Sequence, residues 1–145
     1  MHRDDALEAW DMARTRPPGE IRPSTTIRRH LAAFDAEGEI GPRRAIAALA
    51  KLGRPALDVL LQIAKDEPRV RVRRWAQEAL TPFTDRRVFP VLAASLADPH
   101  MSVRLHALLA LAARREPRAA KAIIPLLRDP SGGVRVNAVA ALAHV

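Results

Sequence analysis

The chain has 145 residues, with 24 Lys and Arg against 16 Asp and Glu for a formal net charge of +8. At 48% hydrophobic and 28% charged it carries enough apolar surface for one compact domain or one short repeat array, which excludes wholesale disorder. Cysteine is absent, so disulfides, thiolate zinc sites, iron–sulfur ligation and cysteine nucleophiles are excluded as well. No apolar run approaches the roughly 18 residues of a membrane span, and Met1-His2-Arg3-Asp4-Asp5 opens acidic rather than as a secretory signal. The expectation is a soluble, cytoplasmic protein with no membrane partner. Its charge is uneven: residues 1–40 hold six basic and eight acidic side chains, residues 41–145 eighteen and eight. A basic body invites anionic partners.

In chain order, Asp4 to Ala13 reads as a short helix with acids in its first turn, and Pro17-Pro18-Gly19 breaks it. Residues 1–23 are therefore expected as a helix and Pro-rich linker, either a cap or a tether, ahead of a repeat domain over 24–145. Four helix pairs follow: 24–36 with 42–52, 55–65 with 69–81, 85–97 with 101–113, and 117–128 with 132–144. Apolar residues recur at helical spacing, as in Val72, Ala76, Ala79, Leu80 and Phe83. An acid before proline suits a helix start, with the carboxylate as cap and proline inside the first turn. Pro90 and Pro125 fall inside predicted helices and should kink them or delay their start.

The pairs are copies of one another. Val72-Arg73, Val103-Arg104 and Val134-Arg135 recur every 31 residues, followed in register by Ala76, Ala107 and Ala138, then Leu80, Leu111 and Leu142. Ala45 and Leu49 form a weaker earlier copy. A period of this size means stacked units that bury their apolar faces on their neighbours. The expected fold is all-α: a right-handed α-solenoid of about four helical hairpins with a short N-terminal helix.

The pattern Asp-Pro-x-x-x-Val-Arg-x-x-Ala-x-x-Ala-Leu resembles the HEAT repeat family, especially its short bacterial HEAT-like members, well over residues 55–145 and loosely over 24–54. The resemblance implies a scaffold or docking surface rather than an enzyme. It also implies a ladder of turn acids and helix arginines between repeats, which assigns Arg73, Arg104 and Arg135 a structural role beside Glu67, Asp98 and Asp129. By the same resemblance, the second helices line an inner, concave surface.

On the 69–81 helix the face opposite the core carries Arg74, Gln77, Glu78 and Thr81, a polar face expected in solvent. One repeat later the same positions are Leu105, Leu108, Leu109 and Ala112, and in the last repeat Val136, Val139, Ala140 and Ala143. Leu105, Leu108, Leu109, Val136 and Val139 are thus expected to form an apolar groove that docks a partner helix or a second copy of the chain. The sequence also stops at Leu142-Ala143-His144-Val145 without a polar capping helix, which adds to the expectation of self-association or docking there. Trp75 and His106 flank that groove in a column with Arg44 and Asn137 whose identity varies between repeats, as contact positions can.

The alternative reading is nucleic-acid backbone binding through Arg69, Arg71, Arg74, Arg86, Arg87, Arg114, Arg115 and Arg118. Chemistry is not expected. His2, His30, His100, His106 and His144 are scattered and none precedes glutamate, the acidic clusters lack calcium-loop spacing, and no phosphate loop or nucleophile elbow is present. The reading is non-catalytic, with no metal, cofactor or small-molecule substrate.

Overall fold

Apolar residues at three- and four-residue spacing, punctuated by Pro and Asp, dictate short helices joined by tight turns. The computed structural model describes residues 25–34 and 40–145, and every described element is helical. The helix and linker expected over 1–23, and the boundary after them, lie outside the described residues. The chain falls into two compact units, residues 1–57 and 58–145.

In the first unit α1 (Thr25–Phe34) packs against α2 (Ile40–Leu52). Ala45, Ile46 and Leu49 are the buried stripe of α2. Gly53 ends that helix at φ +70°, a backbone region that L side chains rarely adopt, and its N–H donates to the carbonyl of Ala50 at 3.1 Å. A single 3-10 turn, Arg54–Ala56, follows with proline at its start.

The second unit begins in α3 (Leu57–Asp66) and continues through α4 (Val70–Leu80), α5 (Val88–Ser95), α6 (Met101–Ala113), α7 (Ala119–Ile123), a 3-10 segment (Ile124–Arg128) and α8 (Gly132–Leu142). The hairpins expected at 85–113 and 117–144 form: α5 packs on α6, and α7 with its 3-10 extension packs on α8. The second helices make a row, α4 against α6 and α6 against α8. Val72, Ala76 and Leu80 are buried, as are Val103, Ala107 and Leu111, then Val134 and Ala138, with Leu142 half-buried at the last of these positions. These are the positions that repeat in the sequence. The two internal prolines act differently. Pro90 delays α5, which starts at Val88 after a turn in which Val88 donates to Asp85. Pro125 converts the second half of its helix to 3-10 geometry, because its ring removes a donor and crowds the preceding turn.

The turn acids do not cap the helices, contrary to expectation. His100 caps α6 and Ser131 caps α8, each accepting from a backbone N–H of the first turn through its side chain. Pro99 lies outside the helix, before that cap. Asp98 and Asp129 accept from the N–H two residues on (His100 at 2.8 Å, Ser131 at 2.9 Å), an Asx turn that leaves most of the carboxylate free. That free edge faces the preceding repeat. Arg73 reaches Asp98 with Nε and Nη2, both at 3.1 Å, and its Nη1 donates to the carbonyls of Glu67 and Pro68. Arg104 repeats the arrangement with Asp129 at 2.8 and 3.0 Å and with the carbonyls of Asp98 and Pro99. Each arginine therefore ties its own turn to the carboxylate of the next, a bidentate bond that specifies stacking geometry.

Asp129 is buried, and the hydrogen bond from Arg104 holds its carboxyl below the ordinary value of 3.8; desolvation opposes this, and the Ser131 N–H with the charges of Arg104 and Arg135 reinforces it. A carboxyl that binds its proton more weakly when folded stabilises the fold fully above its unfolded value, and that stabilisation is lost as pH falls through the depressed folded value. The thermal midpoint is expected to drop as pH falls below about 3.8, more shallowly in Asp129→Asn. Equal slopes for the two proteins would contradict this assignment.

Candidate docking faces on the row of second helices

The row of α4, α6 and α8 brings equivalent positions side by side, and two faces of it matter. Positions 74, 78 and their copies form one: Arg74 and Glu78 on α4, Leu105 and Leu109 on α6, Val136 and Ala140 on α8. This face is polar on α4 and apolar on α6 and α8. Leu109 is 47% exposed and Val136 is 70% exposed, while Leu105 is half-buried. Met101 is also exposed, and its Sδ accepts from the Ser131 hydroxyl at 3.2 Å. Of the residues expected to form an apolar groove, Leu109 and Val136 are exposed and Leu105 is half-buried on this face.

Leu108 does not belong to it. It is fully buried, and so is its equivalent Gln77, which was expected on a solvated face. Both lie on the side of the second helix where the next second helix stacks. A helix inside an array has two buried sides, one toward its own hairpin and one toward its neighbour, and a wheel drawn for a single core misses the second. Val139 is the third residue of this column, and it is 63% exposed. It lies on the far side of α8 and not beside Leu109.

Trp75 and His106 are half-buried. The His106 Nδ1 donates to the carbonyl of Ser102 at 2.8 Å, and its Nε2 lies 3.7 Å from Glu78 Oε1 on α4. This imidazole sits between neighbouring second helices, at the boundary of the polar and apolar parts of the face. Asn137 is tied to its own helix through Gly133. Arg44 is exposed on α2 of the first unit.

Arg69, Arg87, Arg114 and Arg118 of the alternative set hold partners within the protein. Arg69 pairs with Glu67, Arg87 with Asp85 and Asp58, and Arg118 with Glu116 while lying 4.3 Å above the Phe89 ring. Arg114 donates to the carbonyls of Thr81 and Phe83, which fastens the end of α6 to the turn after α4. Arg74 is half-buried, Arg71 is exposed, and Arg86 and Arg115 are exposed without an ion pair among the described residues. Arg115 occupies a left-handed position (φ 48°) just past α6, where Glu116 donates back to Leu111.

Sequence reasoning did not foresee Leu127, which is 38% exposed although its equivalent Leu96 is 6% exposed, nor Ile124, also exposed. Aligning the first helices at the 31-residue period pairs Leu127 with the buried Leu96 and so gives no signal of its exposure. Among the described residues no cluster of His, Asp or Glu could hold a metal ion, and no helix is long and apolar enough to cross a membrane. Residues 89–145 match the family model described as HEAT repeats. Comparison with curated proteins finds no match.

Proposed function

We propose that this chain, a HEAT-repeat protein by its residues 89–145, is a non-catalytic adaptor that docks an apolar helix of a partner protein across α6 and α8. HEAT repeats generally mediate protein–protein interaction and are typically non-catalytic scaffolds. The observation that carries the reading is the exposure of Leu109 on α6 and of Val136 on α8, the latter equivalent to the half-buried Leu105. An apolar strip of this kind on a charged protein marks an interface. A partner helix would lay its aliphatic stripe there and meet His106, Glu78 and Arg74 at the polar end. Repeat stacking within residues 58–145 is part of the same proposal and is supported by the row of stacked second helices.

Leu105→Glu with Leu109→Glu is expected to abolish capture of the partner while leaving the far-ultraviolet helical spectrum intact, because neither side chain is fully buried. Undiminished capture by the double variant refutes the strip as the interface. Binding that instead falls steeply with salt, by several log units per log unit of salt, would indicate a polyanion. The intrachain partners of Arg69, Arg87, Arg114 and Arg118 argue against that reading.

A further inference from the structure

Arg74 is a cation without an answer on the open face of the row. Its neighbours in kind are committed, Arg73 to Asp98 and Arg104 to Asp129. Arg74 makes no hydrogen bond or ion pair among the described residues, and its Nε is sealed from solvent without an acceptor. Glu78, one turn further along α4, does not reach it, and its Oε1 lies instead 3.7 Å from His106 Nε2. The sealed Nε of this half-buried residue means that its stem lies packed down on the helix surface. The guanidinium is therefore held in place before any partner arrives.

The surface around it lies inside the row. Leu109 is 47% exposed although α6 has a stacked second helix on each side, and the Glu78 side chain at the equivalent position of α4 is 62% exposed. This openness belongs to the face itself and is not that of an uncovered end. Equivalent positions of stacked helices are neighbours, so Arg74 stands beside Leu105 and Glu78 beside Leu109. The seam between α4 and α6 thus has a charged side, cation first and anion one turn later, and an aliphatic side.

We propose that this seam takes an acidic amphipathic helix of a partner protein, with a carboxylate of that helix on the Arg74 guanidinium and its aliphatic stripe on Leu105 and Leu109. The inference rests on the docking reading above and adds the partner's charge and the end of the stripe at which its acid sits. Glu78 repels an acid placed opposite it, so the partner's acid belongs at the Arg74 end alone. A charge-assisted bond to a guanidinium already packed in place is among the stronger polar contacts. A second copy is the poorer occupant, because residues 41–145 carry eighteen basic and eight acidic side chains.

The probe is a displayed library of helical peptides with a fixed leucine stripe and with acidic, basic or glutamine residues allowed at the flanking positions, selected on the full chain. Selection on the wild type is expected to enrich an acid at one end of the stripe, and selection on Arg74→Glu a base at that same position. Arg86→Glu makes the same change in net charge at an exposed site in the turn before α5, and should keep the acid preference. By fluorescence anisotropy a selected acidic peptide should bind Arg74→Gln about tenfold more weakly, and replacing the peptide's acid by glutamine should cost nothing more in that variant. Leu109→Glu should abolish binding. Binders that need Leu109 but show no charge preference, or a preference unmoved by Arg74→Glu, overturn this proposal and leave the docking face standing. Binders indifferent to Leu109→Glu, or no binders, overturn the docking reading and this proposal with it. Light scattering that shows a dimer dissolved by Arg74→Glu overturns it in favour of a second copy. Tighter peptide binding by Asp5→Lys with Glu8→Lys overturns it in favour of the chain's own acidic segment.

Discussion

Asp129→Asn lowers stability toward urea by about 3 kcal/mol, and Arg104→Gln by a similar amount, whereas Arg135→Gln costs about 1 kcal/mol or less. Arg104 and Arg135 have the same sequence context but different surroundings. Asp129 and Arg104 are 6% and 14% exposed and share two charge-assisted bonds, so removing one leaves the other charged, largely desolvated and unanswered. The asparagine still accepts from Ser131, which keeps the turn and isolates the loss of charge. Arg135 keeps only its two carbonyl bonds and stays in water. Urea midpoints with unchanged slopes measure the ranking. Equal costs for Arg104→Gln and Arg135→Gln would mean that the carboxylate rung contributes nothing and that the backbone bonds alone hold the turns.

Gln77→Leu is expected to raise stability by about 1–2 kcal/mol. The side chain is fully buried, and neither its amide nitrogen nor its oxygen finds a hydrogen-bond partner among the described residues. Burying an unpaired amide costs more than burying an isosteric hydrocarbon, and the chain itself supplies the replacement, since the equivalent position one repeat later is the fully buried Leu108. Shape is therefore not an obstacle. The reciprocal change, Leu108→Gln, should cost about 2–3 kcal/mol by creating the same unpaired group. Thermal and urea unfolding of both variants check the pair of signs, and destabilisation by Gln77→Leu would show that the amide is satisfied in solution.

Both predictions concern the joints between repeats, and those joints were the least legible part of the sequence. The helices themselves were legible. Helix α6 was expected at 101–113 and occupies Met101–Ala113, because an apolar residue every three or four positions leaves a helix one way to bury its side chains. The shortened α5 shows where this reading loosens: its start depends on Pro90 and on the turn from Asp85, local effects that blur an end without changing the element.

The exposed apolar positions of the second helices were half legible. Leu109, Val136 and Val139 were expected to be exposed and are, Leu105 is half-buried, and Leu108 was expected beside them and is sealed. The error had a single source. Hydrophobic periodicity gives the direction of a helix's apolar face relative to its own axis, and it contains no information about a second helix arriving from 31 residues further along the chain.

By itself, then, the sequence determined the helical class, the 31-residue period and the residues that close each hairpin, since these follow from local spacing and from repetition that can be counted. Only the tertiary structure decided that Arg73 and Arg104 reach forward to Asp98 and Asp129, 25 residues away in each case, and that Gln77 and Leu108 are sealed while Val139 is open. Those facts arise from stacking along the row, where contacts join residues that neighbour each other in space and are remote in sequence, and where the last rung differs from the others only in having nothing described beyond it.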